Sequence, residues 1–178
     1  MKRAIRYLLC LLISVVFLSL VIPAHAAEET VQIIGPWKSN GRIFLISPEK
    51  LKFMGALEGV MYIQDAKGAF DAAAFKCPAT IILDTKSGKT EMKGNFIITG
   101  RTGDMVFADL NAAGIIGASQ GTFTLTGGTG KFEGITGSGD VLIRTALGSM
   151  AVGLESGAYL EALGLAIWPG LKITIPSK

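Results

Sequence analysis

GTFTLTGGTGKFEGITGSGDVLI, residues 121–143, is two alternating runs that meet at a glycine turn. Phe123 and Leu125 fall on one face and Thr122, Thr124 and Thr126 on the other, the two-residue period of a strand. Gly127, Gly128 and Gly130 lack a Cβ, so the chain reverses there at low steric cost. The return run, residues 131–143, carries Gly134, Gly137 and Gly139 inside a strand pattern. Glycines so placed weaken a flat strand and mark bulges, barrel corners or close backbone approach. A sharply curved antiparallel sheet accounts for them.

Working outward, the same punctuation recurs along the chain. Residues 31–34 read as a short strand broken at Gly35-Pro36, and residues 42–46 as a second strand after the turn Ser39-Asn40-Gly41. Residues 51–64 form the longest run. Leu51, Phe53, Leu57, Met61 and Ile63 share one face, with Met54, Val60 and Tyr62 on the other, as for a strand covered on both sides. Residues 70–75 suit a short helix or a loop equally. Strands are expected at 79–83, 90–99 and 105–110, with a curved or irregular Gly/Ala-rich stretch over 111–119. Residues 155–168 fit an amphipathic helix or a strand; the Pro169-Gly170 pair and the β-branched end favour a final hairpin into residues 171–175. No fixed-period repeat argues for a solenoid or propeller. About eight strands with turn signals every 8–12 residues, and the curvature glycines, predict an all-β fold: a single antiparallel barrel, closed so that no edge is exposed.

The first 26 residues have the form of a secretory signal peptide: Lys2, Arg3 and Arg6, an apolar run over 7–22, then Ala24-His25-Ala26. Cleavage there leaves residues 27–178 as one β-barrel domain, in the periplasm or secreted, with no integral membrane segment. Three of the 17 Lys and Arg residues leave with the leader, so 14 remain against 14 Asp and Glu. A neutral domain offers no basic surface for nucleic acid. An outer-membrane barrel would need aromatic girdles and an outward apolar band, which the 14 aromatic residues of the whole chain supply poorly. Cys77 is the single cysteine outside the leader, so it is buried or pairs with another chain.

The leader also takes His25, the only histidine. Hydrolysis through a histidine base and Cys/His zinc sites are thereby set aside. Gly130-Lys131 lacks the spacing of a phosphate loop, and no dinucleotide fingerprint opens a helix. No cofactor and no metal are expected. Glu58, Asp109 and Arg144 are charges beside apolar residues. Glu58 would act as an acid or base if it faced an apolar cavity, where desolvation raises a carboxyl pKa; the plainer reading is an outward glutamate paired with a lysine or arginine. Tyr62 is the other candidate polar group for catalysis. Phe53, Tyr62, Phe96, Phe107 and Phe123 are the candidate ligand-binding side chains if the barrel is hollow.

The run TLTGGTGKFEGITGSG, residues 124–139, resembles the strand, GGTG turn and F-x-G-x-x-G return of the allene oxide cyclase and dirigent-protein superfamily. Gly35-x-Trp37 is a shorter likeness to the G-x-W of lipocalins. The superfamily resemblance implies a calycin-like eight-stranded barrel around an apolar cavity, often in trimers. Some members cyclise or orient a hydrophobic substrate. Their catalytic residues lie outside the shared hairpin, and none is carried to a position here. The expected function is binding of a small hydrophobic molecule inside the barrel, in a pocket of roughly a few hundred Å3 touched by Phe53 or Tyr62. The alternative is a cofactor-independent isomerase or cyclase acting on an apolar substrate.

Overall fold

Period-two burial is strictest in the strand Lys89–Thr99, where Thr90, Met92, Gly94, Phe96 and Ile98 turn inward and the residues between them turn out. The same alternation builds the whole sheet. The computed structural model describes residues 27–66, 68, 70–149, 151–152 and 156–176; the expected leader lies outside them. The strands are β1 (Ala27–Ser47), β2 (Lys50–Ile63), β3 (Ala73–Asp84), β4 (Lys89–Thr99), β5 (Met105–Ile115), β6 (Ala118–Gly128), β7 (Thr136–Thr145), β8 (Ala151–Val152) and β9 (Tyr159–Ile175). From β1 to β7 each pairs antiparallel with the next, and β9 pairs with both β7 and β1, so eight strands close a barrel. The two-residue β8 extends the β7 side along the start of β9. The fold is the expected closed, all-β antiparallel barrel.

The interior fills from one end. Phe70, Phe132 and Ile135, all buried, plug the end where β2, β4 and β6 finish, with the Phe70 and Phe132 rings stacked 6.0 Å apart. Above them Phe75, Phe96, Phe123 and Trp168 pack in contacts of 5.1–6.1 Å between centroids, mostly edge-to-face. Cys77 is buried beside this layer as a free thiol.

Several local expectations are corrected. The hairpin of residues 121–143 is not a tight turn: Gly130–Phe132 is a 3-10 turn and the return strand starts at Thr136. Phe132 and Ile135, both buried, plug the barrel end instead of continuing a strand. Gly137 and Gly139 do mark close approach, since a Cβ at Gly137 would strike the Lys172 carbonyl of β9. β1 runs unbroken through Gly35-Pro36 and residues 39–41, paired with β9 throughout that stretch. There is no terminal hairpin either: β9 passes through Pro169-Gly170 as a bulge, where Val31 faces Leu171 and Ile33 faces Trp168. Residues 70–72 form a turn into β3, and β5 stays regular to Ile115.

Nor is β2 covered on both faces. Its outward Met54 and Tyr62 are 48% and 49% exposed. On the outer surface β1, β2 and β9 present Ile34, Pro36, Tyr62 and Leu163 among Gln32, Lys38, Glu161 and Lys172, whereas β4 to β6 present Glu91, Lys93, Asn95, Asp109, Asn111, Thr122 and Thr124 beside Ile97.

Candidate functional site

The other end of the barrel is open. Here β1, β3, β5 and β7 finish and β2, β4, β6 and β9 begin. A cavity of about 120 Å3 enters from this mouth. Ile115 and Ile116, both exposed, form part of its rim, and Leu51, Phe53, Ile81 and Leu160 part of its wall. Trp37, Leu57, Met92 and Ile143 also line a void of about 10 Å3 below, so they form the floor that separates the cavity from the aromatic layer. The cavity is smaller than the expected few hundred Å3 because Phe75, Phe96, Phe123 and Trp168 fill the middle of the barrel. What space remains is left by the small inward residues Ser39, Ser119 and Ala162, with Gly117 of the β5–β6 turn at the mouth.

Four hydroxyl residues, Ser39, Thr90, Ser119 and Thr145, interrupt the apolar lining. Thr90 pairs with Gly114 and Gly114 with Ser119. Because the intervening inward position has no side chain, the Thr90 and Ser119 hydroxyl oxygens meet across it at 3.0 Å. Ser39 and Thr90 are only 8% and 9% exposed, and Ser39 stands on β1, across the barrel from the Thr90–Ser119 pair. None of the described residues lining the cavity is ionisable.

The structure scatters the residues singled out from sequence. Phe53 lines the cavity. Phe96 and Phe123 lie lower, packed against each other and Trp168. Tyr62 and Phe107 are corrections: Met61 and Ile63 take the inward phase of β2, and Val106 and Ala108 that of β5, so both rings turn outward. Tyr62 also sits near the closed end, away from the cavity. Glu58 is outward too, with an oxygen 2.9 Å from the Lys76 ammonium. The hydrogen bond and charge of Lys76 hold its carboxyl below the ordinary value of 4.5. It is therefore a stable surface carboxylate rather than a poised acid. Asp109 accepts a hydrogen bond of 2.7 Å from Asn95 Nδ2 on the outside, and Arg144 donates to the Ile143 carbonyl at 2.9 Å.

The hydroxyls are the residues that sequence reading missed. Their signal was phase: Ser39 shares parity with Trp37 and Ile43, and Thr90 with Met92 and Phe96. Two buried polar groups, the indole N–H groups of Trp37 and Trp168, have no acceptor among the described residues. Among the described residues no cluster of His, Cys, Asp or Glu suited to a metal occurs, and no helix is long and apolar enough to cross a membrane.

No protein-family model and no curated protein sequence matches the chain. Among solved structures, it is similar to the pterocarpan synthase dirigent protein, at 10% identity and a TM-score of 0.36, over 84% of this chain and 93% of that one. At that identity no residue is carried across, and the site stands on this chain's own geometry.

Proposed function

We propose that this protein holds a small, mostly apolar molecule in the open end of its barrel. The observation that carries the reading is a solvent-reachable apolar cavity of about 120 Å3 in a barrel whose other end is plugged. Apolar walls supply affinity by removing ligand surface from water, and a few polar groups orient it. The likeness of residues 124–139 to the allene oxide cyclase and dirigent barrels supports the same reading. Turnover by a cyclase or isomerase would need a proton-transfer group beside the substrate, and both candidates, Glu58 and Tyr62, stand on the outer face. Holding is the reading the geometry favours. Native mass spectrometry of protein purified from its own source tests it: a retained small molecule supports it. No saturable uptake of any small apolar molecule would overturn it.

The protein works outside the cytoplasm on this proposal, after cleavage behind Ala26; N-terminal sequencing that found Met1 on the mature chain would refute that. Copies associate through the apolar outer face of β1, β2 and β9. Ile34 pairs with Tyr62 on one side and Ile167 on the other, and Lys38 pairs with Leu163, which places these side chains in one band. The outer face of β4 to β6 is mostly polar, which suits an aqueous face better than a lipid-spanning barrel. Light scattering should give a mass above one protomer for the wild type, and one protomer for Tyr62→Lys with Leu163→Lys.

A further inference from the structure

We infer that the ligand is a neutral, single-ring-sized molecule bearing one hydroxyl or carbonyl group, which hydrogen-bonds to the Thr90–Ser119 pair. This rests on the proposal that the cavity holds a small molecule, and goes further by naming its class. Size comes first. A closed apolar cavity of about 150 Å3 takes benzene, so about 120 Å3 with an open mouth admits one ring, with any longer substituent projecting past Ile115 and Ile116. Charge comes second. No ionisable side chain occurs among the described residues lining the cavity, so a carboxylate, phosphate or ammonium would lose its hydration without a counter-charge.

The polar group comes third. In the Thr90–Ser119 pair one hydroxyl donates to the other. That leaves one O–H to donate and lone pairs to accept, a combination that serves an alcohol or a carbonyl alike. Ser39, across the barrel on β1, adds a further hydroxyl to the lining. A wholly apolar ligand would cover these hydroxyls and leave them unsatisfied, which costs more than a modest hydrogen bond gains. The hydroxyls therefore discriminate for a polar group and against its absence.

The test is an NMR titration of the full mature protein with three ring probes: cyclohexanol, methylcyclohexane and cyclohexanecarboxylate at neutral pH. Cyclohexanol should bind about five- to tenfold more tightly than methylcyclohexane, as one added hydrogen bond implies, and the carboxylate should show no saturable binding. Thr90→Val combined with Ser119→Ala should abolish the preference for cyclohexanol while methylcyclohexane still binds; Ser119→Ala alone serves if the double variant does not fold. Equal binding of cyclohexanol and methylcyclohexane, a preference that survives the substitutions, or carboxylate binding as tight as the alcohol would each overturn the inference while leaving the cavity's holding role intact. Failure of all three probes to bind would overturn both.

Discussion

Ala162 and Ala166 lie four residues apart on the inward face of β9, and substitution of each by leucine should have opposite effects. Ala162 is buried and lines the cavity of about 120 Å3, whereas Ala166 borders only the void of about 10 Å3 beneath it. Leucine adds three carbons. At about 0.8 kcal/mol per buried CH2 they contribute roughly 2.4 kcal/mol at position 162. Fixing the longer side chain costs about 0.5–1 kcal/mol, and the open mouth leaves part of it wet. A net gain of about 1 kcal/mol remains, well under the ~3 kcal/mol ceiling that filling the whole volume at about 24 cal/mol per Å3 would set. For a domain of this size that raises Tm by roughly 2–4 °C. At position 166 the same carbons have no room, and overpacking should cost about 1–3 kcal/mol. Calorimetry on both variants reads the signs, and cyclohexanol titration should show at least about tenfold weaker binding for Ala162→Leu, since the ring's space is taken. A loss of more than about 1 kcal/mol for Ala162→Leu, comparable with that of Ala166→Leu, would mean that the barrel is packed through to its mouth.

Four other outcomes are expected. Gly130 has φ +57 with the Asp104 carboxylate where a Cβ would stand, so Gly130→Val should cost at least about 1–2 kcal/mol and lower Tm measurably. Burial pushes the Cys77 thiol up to about 12, so the native protein should resist iodoacetamide at pH 8 and react promptly once unfolded in guanidinium, as mass spectrometry can follow. The carboxyls of Glu58, held down by Lys76, and of Asp84, held down by hydrogen bonds from Ser87, both lie below their ordinary values of 4.5 and 3.8. Their stabilisation is complete above those values and lost as pH falls through the lower folded ones, so Tm measured from pH 6 to 2 should fall less steeply for Glu58→Gln with Asp84→Asn than for wild type. Tyr62→Ala should leave cyclohexanol binding unchanged within about twofold, because the ring faces away from the cavity.

The barrel was legible because alternation survives without any knowledge of neighbours: Met92, Phe96 and Ile98 share a face whatever lies beside them. Turn chemistry misled in three places for one reason. Gly35-Pro36, residues 39–41 and Pro169-Gly170 have the composition of chain reversals, yet each lies inside a continuing strand: Gly35-Pro36 and residues 39–41 stay paired with β9, and Pro169-Gly170 is an unpaired bulge between two paired stretches of β9. The phase of β2 was readable, since Lys52, Glu58 and Gln64 share a face with Met54, Val60 and Tyr62; what misled was the apolar content of that face, which suggested a cover the strand does not have. Glu58 shows the same limit, its cation lying on the next strand at Lys76. The cavity was hardest to foresee. It depends on where the side chains of eight strands stop filling a shared space, and Ser39, Thr90 and Ser119 are ordinary strand residues until three-dimensional closure brings them to one cavity, Ser39 on the wall facing the other two.

The pairing of the first long strand with the last has a kinetic consequence. Ala27 lies opposite Ile175 and Arg42 opposite Tyr159, while every pairing from β1 to β7 joins consecutive strands. The ring therefore has a single seam that joins its two ends. Until β9 arrives, β1 and β7 are open edges that invite pairing with another chain, and zipping the seam carries the loop-closure cost of nearly the whole domain. A chain cut after Thr145 should aggregate edge to edge, and a synthetic peptide of the β9 sequence should rescue it by adding the missing strand in trans. Joining the ends with a short linker and reopening the ring between Asp84 and Lys89 would move the seam without altering any barrel pairing, and should accelerate β1–β9 closure while slowing that of β3 with β4.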